Sequence, residues 1–362
     1  MNSRLQRLHT ILRKSHFEGL LVSHQPNINY LTGFPSSDSY LLVTRKQNFF
    51  ITDPRYYQEA SKFLAPKGNS RAVKSLRVEL YSNSVFDTIT QLVRRQKVKR
   101  LGFEARNLDV AQYQRIKKLL GKIRFISTHE IIEQLRRLKE PSEIVKIKKS
   151  VSIARQALEY AKGIIAPGIS EREIAAELEG FLRTKGARKT AFETIVASGR
   201  NSAFPHYLTG NRKLRQCDCL FVDFGVDYQG YKSDLTRTFF LGKIPSKISK
   251  IYQIVRQAQV KAINKIKPGV RIGEIDKSAR QYIARHGYGG FFAHNLGHGI
   301  GLEIHEQPTI SAHNKALLEE GMVFTIEPAI YLPNRFGIRI EDDIVVTKQG
   351  CEVLSSGIDK SD

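Results

Sequence analysis

Only three cysteines occur in 362 residues, too few for the disulfide framework of a small secreted domain. Cys217 and Cys219 stand on alternating positions before an apolar run and have no second pair with which to form a zinc site. A reducing cytoplasm is therefore the expected location. Long apolar runs are also missing. None approaches the roughly 18 residues that span a bilayer, so no membrane role is expected. The glycine-rich stretch around His298 lacks a Gly-Lys-Ser/Thr, which argues against a phosphate loop. Acids are scarce beside bases, 35 against 58, for a formal net charge of +23. The basic residues are spread through Arg94 to Arg100, Lys146 to Lys149 and Lys243 to Lys250, with no recognition module beside them. A solvated basic surface without a specific nucleic-acid partner is the expectation.

What is present suits a globular protein with two cores: the chain is long enough, and its hydrophobic fraction of 41% is ordinary. Residues 1–130 alternate strand and helix patterns and predict a smaller α/β domain. Residues 131–362 predict a larger α+β domain, with a charged connecting helix over about 128–150. The basic start, Asn2 to Lys14, carries Leu5, Leu8 and Leu12 at helical spacing. It runs almost directly into Gly19-Leu20-Leu21-Val22-Ser23, and so reads as the first helix of the domain, not as a transit peptide.

Four carboxylates sit inside apolar, strand-like runs: Asp223, Asp234, Glu327 and Glu341. An ionised carboxylate in such surroundings costs several kcal/mol unless a cation or donor compensates it. The run Cys219 to Gly225 alternates as a strand, turns through Asp227-Tyr228-Gln229-Gly230 and returns through Tyr231 to Phe239. A regular hairpin about that turn would set Asp223 opposite Asp234. Glu327 and Glu341 are likewise symmetric about a turn at Pro333-Asn334. Directly opposed like charges repel, so two carboxylate pairs on two hairpins predict a shared metal site.

An internal repeat supports that reading. Pro167-Gly168 through Ile174 and Pro268-Gly269 through Ile275 align at an offset of 101, and Gly186 then falls on Gly287. Duplicated halves would arrange their carboxylates about a pseudo-two-fold axis. Between the two hairpins lies His294-Asn295-Leu296-Gly297-His298-Gly299-Ile300-Gly301, followed by His305. The glycines let backbone pass close to an ion or ligand. His298 is the expected metal ligand, and His294 and His305 are placed around the substrate. One imidazole with four carboxylates is a hard, oxygen-rich set. It suits two ions of Mn²⁺, or of Co²⁺ or Fe²⁺, better than a thiolate zinc site, with Zn²⁺ as a remaining alternative. Two cations about 3.5 to 4 Å apart would lower the pKa of bound water and polarise a scissile carbonyl.

These motifs together resemble the pita-bread metallopeptidases, and within them the Xaa-Pro group of aminopeptidase P and prolidase. The resemblance lies in Val222-Asp223-Phe224-Gly225, Ser233-Asp234-Leu235-Thr236-Arg237-Thr238, Gly297-His298-Gly299-Ile300-Gly301, Ile326-Glu327-Pro328 and Gly337-Ile338-Arg339-Ile340-Glu341-Asp342. Asn29-Tyr30-Leu31-Thr32-Gly33-Phe34 and Ile51-Thr52-Asp53-Pro54-Arg55-Tyr56 are similar to the creatinase-type amino-terminal domain.

The resemblance implies a pita-bread catalytic domain after a smaller creatinase-type one, and commonly a homodimer. It implies that Asp223 chelates one ion, that Asp234 and Glu341 bridge both, and that His298 and Glu327 hold the other. Glu327 would also carry a proton to the leaving nitrogen. His206 matches a substrate-binding histidine and, with His305, would hydrogen-bond the peptide around the scissile bond. Arg339 shares strand parity with Glu341 and would neutralise the acids or orient a bridging ligand. The expected substrate is a proline-containing peptide, cut between its first residue and a following proline as by aminopeptidase P. An Xaa-Pro dipeptidase is the alternative, and a metal-free binding protein of the same fold a remote one.

Overall fold

The computed structural model describes residues 3–65 and 76–358, and the chain divides into two compact units, Met1–Arg136 and Arg137–Asp362. In the first unit, strands β1 (Gly19–Val22), β2 (Ser39–Thr44), β3 (Asn48–Thr52), β4 (Leu76–Leu80), β5 (Arg100–Glu104) and β6 (Arg124–Thr128) form one sheet in the order β4-β3-β2-β1-β5-β6. Only β2 runs against its neighbours; β3 pairs parallel with β4, and β1 and β6 pair parallel with β5.

Helices α1 (Ser3–Lys14), α2 (Gln25–Thr32), α3 (Pro54–Leu64), α4 (Val85–Arg95), α5 (Val110–Leu120) and α6 (Ile131–Arg136) complete the unit. Helix α1 buries Leu5, Leu8 and Leu12, as their spacing predicts, while Asn2 lies outside the described residues. Phe86, Ile89 and Val93 of α4 meet Leu42, Phe49 and Leu101 in one apolar core.

The expected single helix over 128–150 is instead the end of β6, the short α6, and α7 (Pro141–Ile164). Pro141 begins α7 and holds Glu140 extended at ψ 155, because the proline ring excludes the preceding residue from helical backbone.

In the second unit α7 is followed by α8 (Glu171–Thr184), β7 (Lys189–Thr190), β8 (Ile195–Ser198), β9 (Cys219–Phe224), β10 (Val226–Tyr228), β11 (Tyr231–Lys232) and β12 (Leu235–Phe240). Then come α9 (Ser246–Ile263), α10 (Ile272–Arg285), β13 (Gly297–Gly299), β14 (Glu306–Ile310), β15 (Val323–Ile326), β16 (Ala329–Leu332), β17 (Phe336–Arg339), β18 (Asp342–Val346) and β19 (Cys351–Val353). Strands order as β12-β9-β8 in one sheet and β14-β13-β15-β18-β19 in another. Helices α7 and α8 share a core with the first sheet, and α9 and α10 with the second.

The repeat is visible residue by residue. Helices α8 and α10 begin and end 101 positions apart. Gly168 and Gly269 precede them at φ 99 and 83, and Gly186 and Gly287 follow at φ 91 and 85. The backbone amides of Gly168 and Gly269 donate to the carbonyls of Leu214 and Leu318, at 2.9 and 2.8 Å, tying each helix start to its own half. Only the first helix has a capping box. Ser170 Oγ accepts from the Glu173 amide at 3.2 Å and the Ser170 amide donates to the Glu173 carboxylate at 2.7 Å.

One hairpin register differs from expectation. Asp223 pairs with Thr236, and Tyr228 with Tyr231, so the turn is the two residues Gln229 and Gly230, at φ 51 and 87. Two-residue turns with positive φ match the strand twist, and the four-residue turn loses to them. The slip is two residues, which leaves Asp223 and Asp234 on one face, where a slip of one would have separated them. The second hairpin has the expected symmetry: Ala329 pairs with Arg339 and Leu332 with Phe336 around Asn334, at φ 61.

At Gly225, between β9 and β10, a Cβ would lie 2.2 Å from the Ser233 carbonyl oxygen. Gly225→Ala should therefore cost about 1–3 kcal/mol in denaturant unfolding. Gly180→Ala, in the exposed interior of α8 where nothing lies within 4 Å, should gain about 0.5–1 kcal/mol. Equal effects at the two sites would contradict the packing described.

Candidate metal centre

The second unit encloses a cavity of about 550 Å³ lined by all nine residues that the motifs single out, from His206 through Glu341. The five expected metal ligands come from strands or their immediate ends, and His206 and His294 from loops. Asp223 projects from β9 and His298 from β13, Asp234 immediately precedes β12, Glu327 follows β15, and Glu341 lies between β17 and β18. One oxygen each from Asp234 and Glu341 and a nitrogen of His298 lie within 4.8 Å of one another. His298 Nε2 is 3.4 Å from Asp234 Oδ2 and 3.5 Å from Glu327 Oε1.

Two threonines aim the acids. Thr236 Oγ1 donates to Glu341 Oε2 at 2.7 Å, and Thr325 Oγ1 donates to Glu327 Oε1 at 3.3 Å while accepting from the His298 amide at 3.2 Å. Their hydroxyls face the acids because strand pairing puts Thr236 beside Asp223, and Thr325 stands two residues before Glu327.

The charge balance is poor without a cation. Burial raises the pKa of Asp234, and the carboxylates of Asp223 and Asp343 raise it further. Glu341 is raised by burial and then by Asp234 and Glu327. Glu327 is also raised by burial, against the lowering influence of His298 and Arg339. Among the described residues Asp223 Oδ1, Asp234 Oδ1 and Asp343 Oδ1 are buried without a hydrogen-bond partner. Buried carboxylate oxygens without donors, gathered around one imidazole, fit a divalent-cation site. The hardness of the set favours an oxygen-preferring ion.

Arg339 contributes one fixed positive charge. It is 3% exposed and pairs its Nη2 with Asp223 Oδ2. Its Nη1 donates to the Tyr331 hydroxyl at 2.6 Å and to the Pro205 carbonyl at 3.1 Å. Tyr331 in turn lies 3.1 Å from His294 Nε2, so one guanidinium ties an acid of the cluster to a cavity histidine. Burial lowers the pKa of both His294 and His305 to about 4. Both are neutral at pH 7, and the His294 ring bonds the Asn295 carbonyl and the Tyr331 hydroxyl. The His305 ring meets that of His298 edge-on at 4.2 Å between centroids.

Two residues that the motifs do not reveal belong to this architecture. Asp343 accepts from the Asp234 amide at 3.0 Å, and burial pushes its pKa up to about 8. Its sequence signal is the two-residue spacing from Glu341. Glu171, at the start of α8, is fully buried and accepts from the Ser198 amide at 2.8 Å, Ser198 Oγ at 2.6 Å, Asn201 Nδ2 at 3.0 Å and the Tyr207 hydroxyl at 2.9 Å. That carboxylate anchors the loop carrying His206, whose ring is exposed at the cavity.

The model of metallopeptidase family M24 matches residues 145–348, and that of the creatinase/prolidase N-terminal domain matches residues 4–138. The Xaa-Pro dipeptidase of Pyrococcus horikoshii is 35% identical over 356 residues, covering 98% of this chain and 97% of its own. A solved Xaa-Pro dipeptidase from Bacillus anthracis superposes with a TM-score of 0.93 at 37% identity, over 98% of this chain and 97% of that one. A solved X-Pro aminopeptidase from Thermotoga maritima MSB8 superposes with a TM-score of 0.89 at 35% identity, over 99% of each chain.

Replacing Glu171 with Ala strands several buried donors, each costing about 1–3 kcal/mol. The variant should lose about 3 kcal/mol or more in denaturant unfolding and show faster amide exchange across 199–210. Ser170→Ala, which removes only a cap, should lose about 1 kcal/mol. A Glu171→Ala protein as stable as Ser170→Ala, with exchange unchanged in the loop, would contradict the anchoring role.

Proposed function

The chain belongs to metallopeptidase family M24, and on that premise we propose that it is an Xaa-Pro dipeptidase, a prolidase, working with two divalent cations. The observation that carries the reading is one cavity lined by four carboxylates and His298, in which Asp223 and Asp234 each keep a buried oxygen without a donor. Asp223, Asp234, His298, Glu327 and Glu341 would hold the ions, with Asp234 and Glu341 shared between them. Mn²⁺ is the first choice, ahead of Co²⁺, Fe²⁺ and Zn²⁺, because four of the five ligands are hard carboxylates. When bound, the pair supplies an activated water near neutral pH and polarises the scissile carbonyl.

The chain's own groups then have separable tasks. Glu327, its carboxyl raised by burial, is the group that moves a proton to the prolyl nitrogen as it leaves. Neutral His305, with His206, donates hydrogen bonds to the peptide around the reacting carbonyl. His294, held through Tyr331 to Arg339, orients the other wall. Arg339 pairs with Asp223 and aims it. The apolar walls at Phe192, Ile195 and Ile304 exclude water from a cavity sized for a short peptide.

The dipeptidase reading displaces the aminopeptidase P-like one as the first choice. Its support is the activity named for the Pyrococcus horikoshii, Pyrococcus furiosus and Bacillus anthracis relatives, beside the aminopeptidase named for Thermotoga maritima. A metal-free binding role is disfavoured because all five ligand side chains are retained at one cavity. A homodimer in the cytoplasm remains part of the proposal.

Ala-Pro dipeptide and Ala-Pro-Ala tripeptide, each assayed with chelator and with Mn²⁺, separate the readings. Cleavage of the dipeptide at least about tenfold faster, lost on chelation and restored by Mn²⁺, is expected. Preference for the tripeptide would return the assignment to aminopeptidase P, and full activity after metal removal would overturn the mechanism. Glu341→Ala should lose both turnover and bound metal, and a Glu341→Ala enzyme with full activity would remove the bridging role.

A further inference from the structure

The net charge of +23 looks dispersed in sequence, but the register of the amino-terminal sheet gathers much of its excess on one edge. Strands β1, β3, β4, β5 and β6 all start there, and β2 ends there, since Gly19 pairs with Thr44 and Leu101, Asn48 with Val43 and Leu76, and Arg100 with Arg124. Helix α1 reaches that edge through exposed Arg13 and Lys14, and the β2–β3 turn presents Arg45 and Lys46. Arg77 stands at the start of β4. Helix α4 ends on Arg94 and Arg95, with exposed Lys97 and Lys99 leading into β5. Helix α5 ends on Lys117 and Lys118, with Lys122 and Arg124 leading into β6.

Of the acids in these segments, Glu18 lies at this edge and Glu79 one residue before the far end of β4, and both are engaged. Glu18 accepts from the Lys99 amide at 2.6 Å and pairs with Arg100 at 3.4 Å, while Glu79 pairs with Arg95 at 3.0 Å. The opposite edge, where those strands finish, holds Asp38, Asp53, Asp87, Glu104, Asp109 and Glu130, with Arg55 and Arg106 paired among them. The unit is thus polarised along its strands.

Helix C-termini favour cations, which accounts for the pairs ending α1, α4 and α5. It does not account for the turn and strand-start residues Lys46, Arg77, Lys97, Lys99, Lys122 and Arg124. Like charges packed within a Debye length of about 8 Å repel and cost stability.

We propose that this edge is a binding surface for the sugar-phosphate backbone of a nucleic-acid duplex, read without regard to sequence. Six strands about 4.8 Å apart make an edge about 24 Å long. A duplex carries one charge per about 1.7 Å, or about 14 phosphates over that length, and binding releases their counterions. A single strand is disfavoured because, among the described residues of these segments, no Phe or Tyr is exposed for base stacking and His16 is the one exposed ring. A membrane is disfavoured because, among the described residues of this unit, two of the three exposed large apolar side chains, Leu80 and Val110, sit at the opposite edge, and the third, Phe63, stands alone against Phe34.

Fluorescence anisotropy of the full chain with a labelled DNA duplex and the matching RNA duplex, titrated across salt, tests the surface. The edge variant reverses Lys97, Lys99, Lys122 and Arg124 to Glu; a charge-matched control reverses Lys243, Lys247, Lys250 and Lys265 on the other unit. The wild type should bind one or both duplexes with a log–log salt slope of about −4, and the edge variant should lose at least tenfold affinity and about half the slope. The control should stay within about twofold of wild type. Retained peptidase activity reports that each variant is folded; a quadruple Gln variant replaces the Glu one if it is not. Equal losses in edge and control variants, or wild-type binding no tighter than that of an unrelated protein of similar charge, would overturn the proposal. So would tighter binding to anionic phosphatidylserine vesicles than to either duplex.

Discussion

Mutual repulsion among buried carboxylates is the constraint on which the catalytic unit depends. Asp223, Asp234, Glu327, Glu341 and Asp343 face one small volume, and Arg339 is the fixed cation that pairs into it. Several kcal/mol of desolvation per ionised acid cannot be offset by one guanidinium that is itself buried. The surrounding structure makes sense as a frame that tolerates this cost until cations arrive. Threonines hold individual oxygens, and neutral histidines avoid adding buried charge of their own.

The duplicated frame explains how so many acids converge. Each half supplies a helix begun by a positive-φ glycine and strands from which carboxylates project. The copies differ where their tasks differ. Glu171 and Ile272 start equivalent helices, yet only the first is a carboxylate, and it anchors the loop bearing His206. Duplication thus provides the shared frame of the acids, and divergence at single positions gives the two halves different surroundings.

Much of this was legible in sequence because alternation and turn symmetry are local. The Glu327–Glu341 hairpin could be placed to the residue from Pro333-Asn334. The Asp223–Asp234 hairpin was misplaced by two because the turn prefers Gln229-Gly230, a competition between turn types that alternation does not register. Pro141 divides what its charged flanks suggested was one helix. Glu171 and Asp343 escaped notice because their roles rest on long-range contacts, to Tyr207 and to the Asp234 amide. The basic edge escaped for the same reason: its residues are far apart in sequence and meet only through sheet register.

The most direct test of the central claim is the thermal midpoint with chelator and with saturating Mn²⁺, followed across pH. Carboxyls whose pKa is raised by folding bind protons more readily folded than unfolded, so the metal-free fold gains from them as pH falls toward the ordinary carboxylate range. The effects of His294 and His305, lowered by burial, oppose this below about pH 6.5. Mn²⁺ should raise the midpoint by about 5 °C or more at about pH 8. That increment should shrink steadily toward about pH 5 as protons take over the task of the cations. No increment at any pH, or one that does not change with pH, would contradict the claim that cations neutralise this carboxylate cluster.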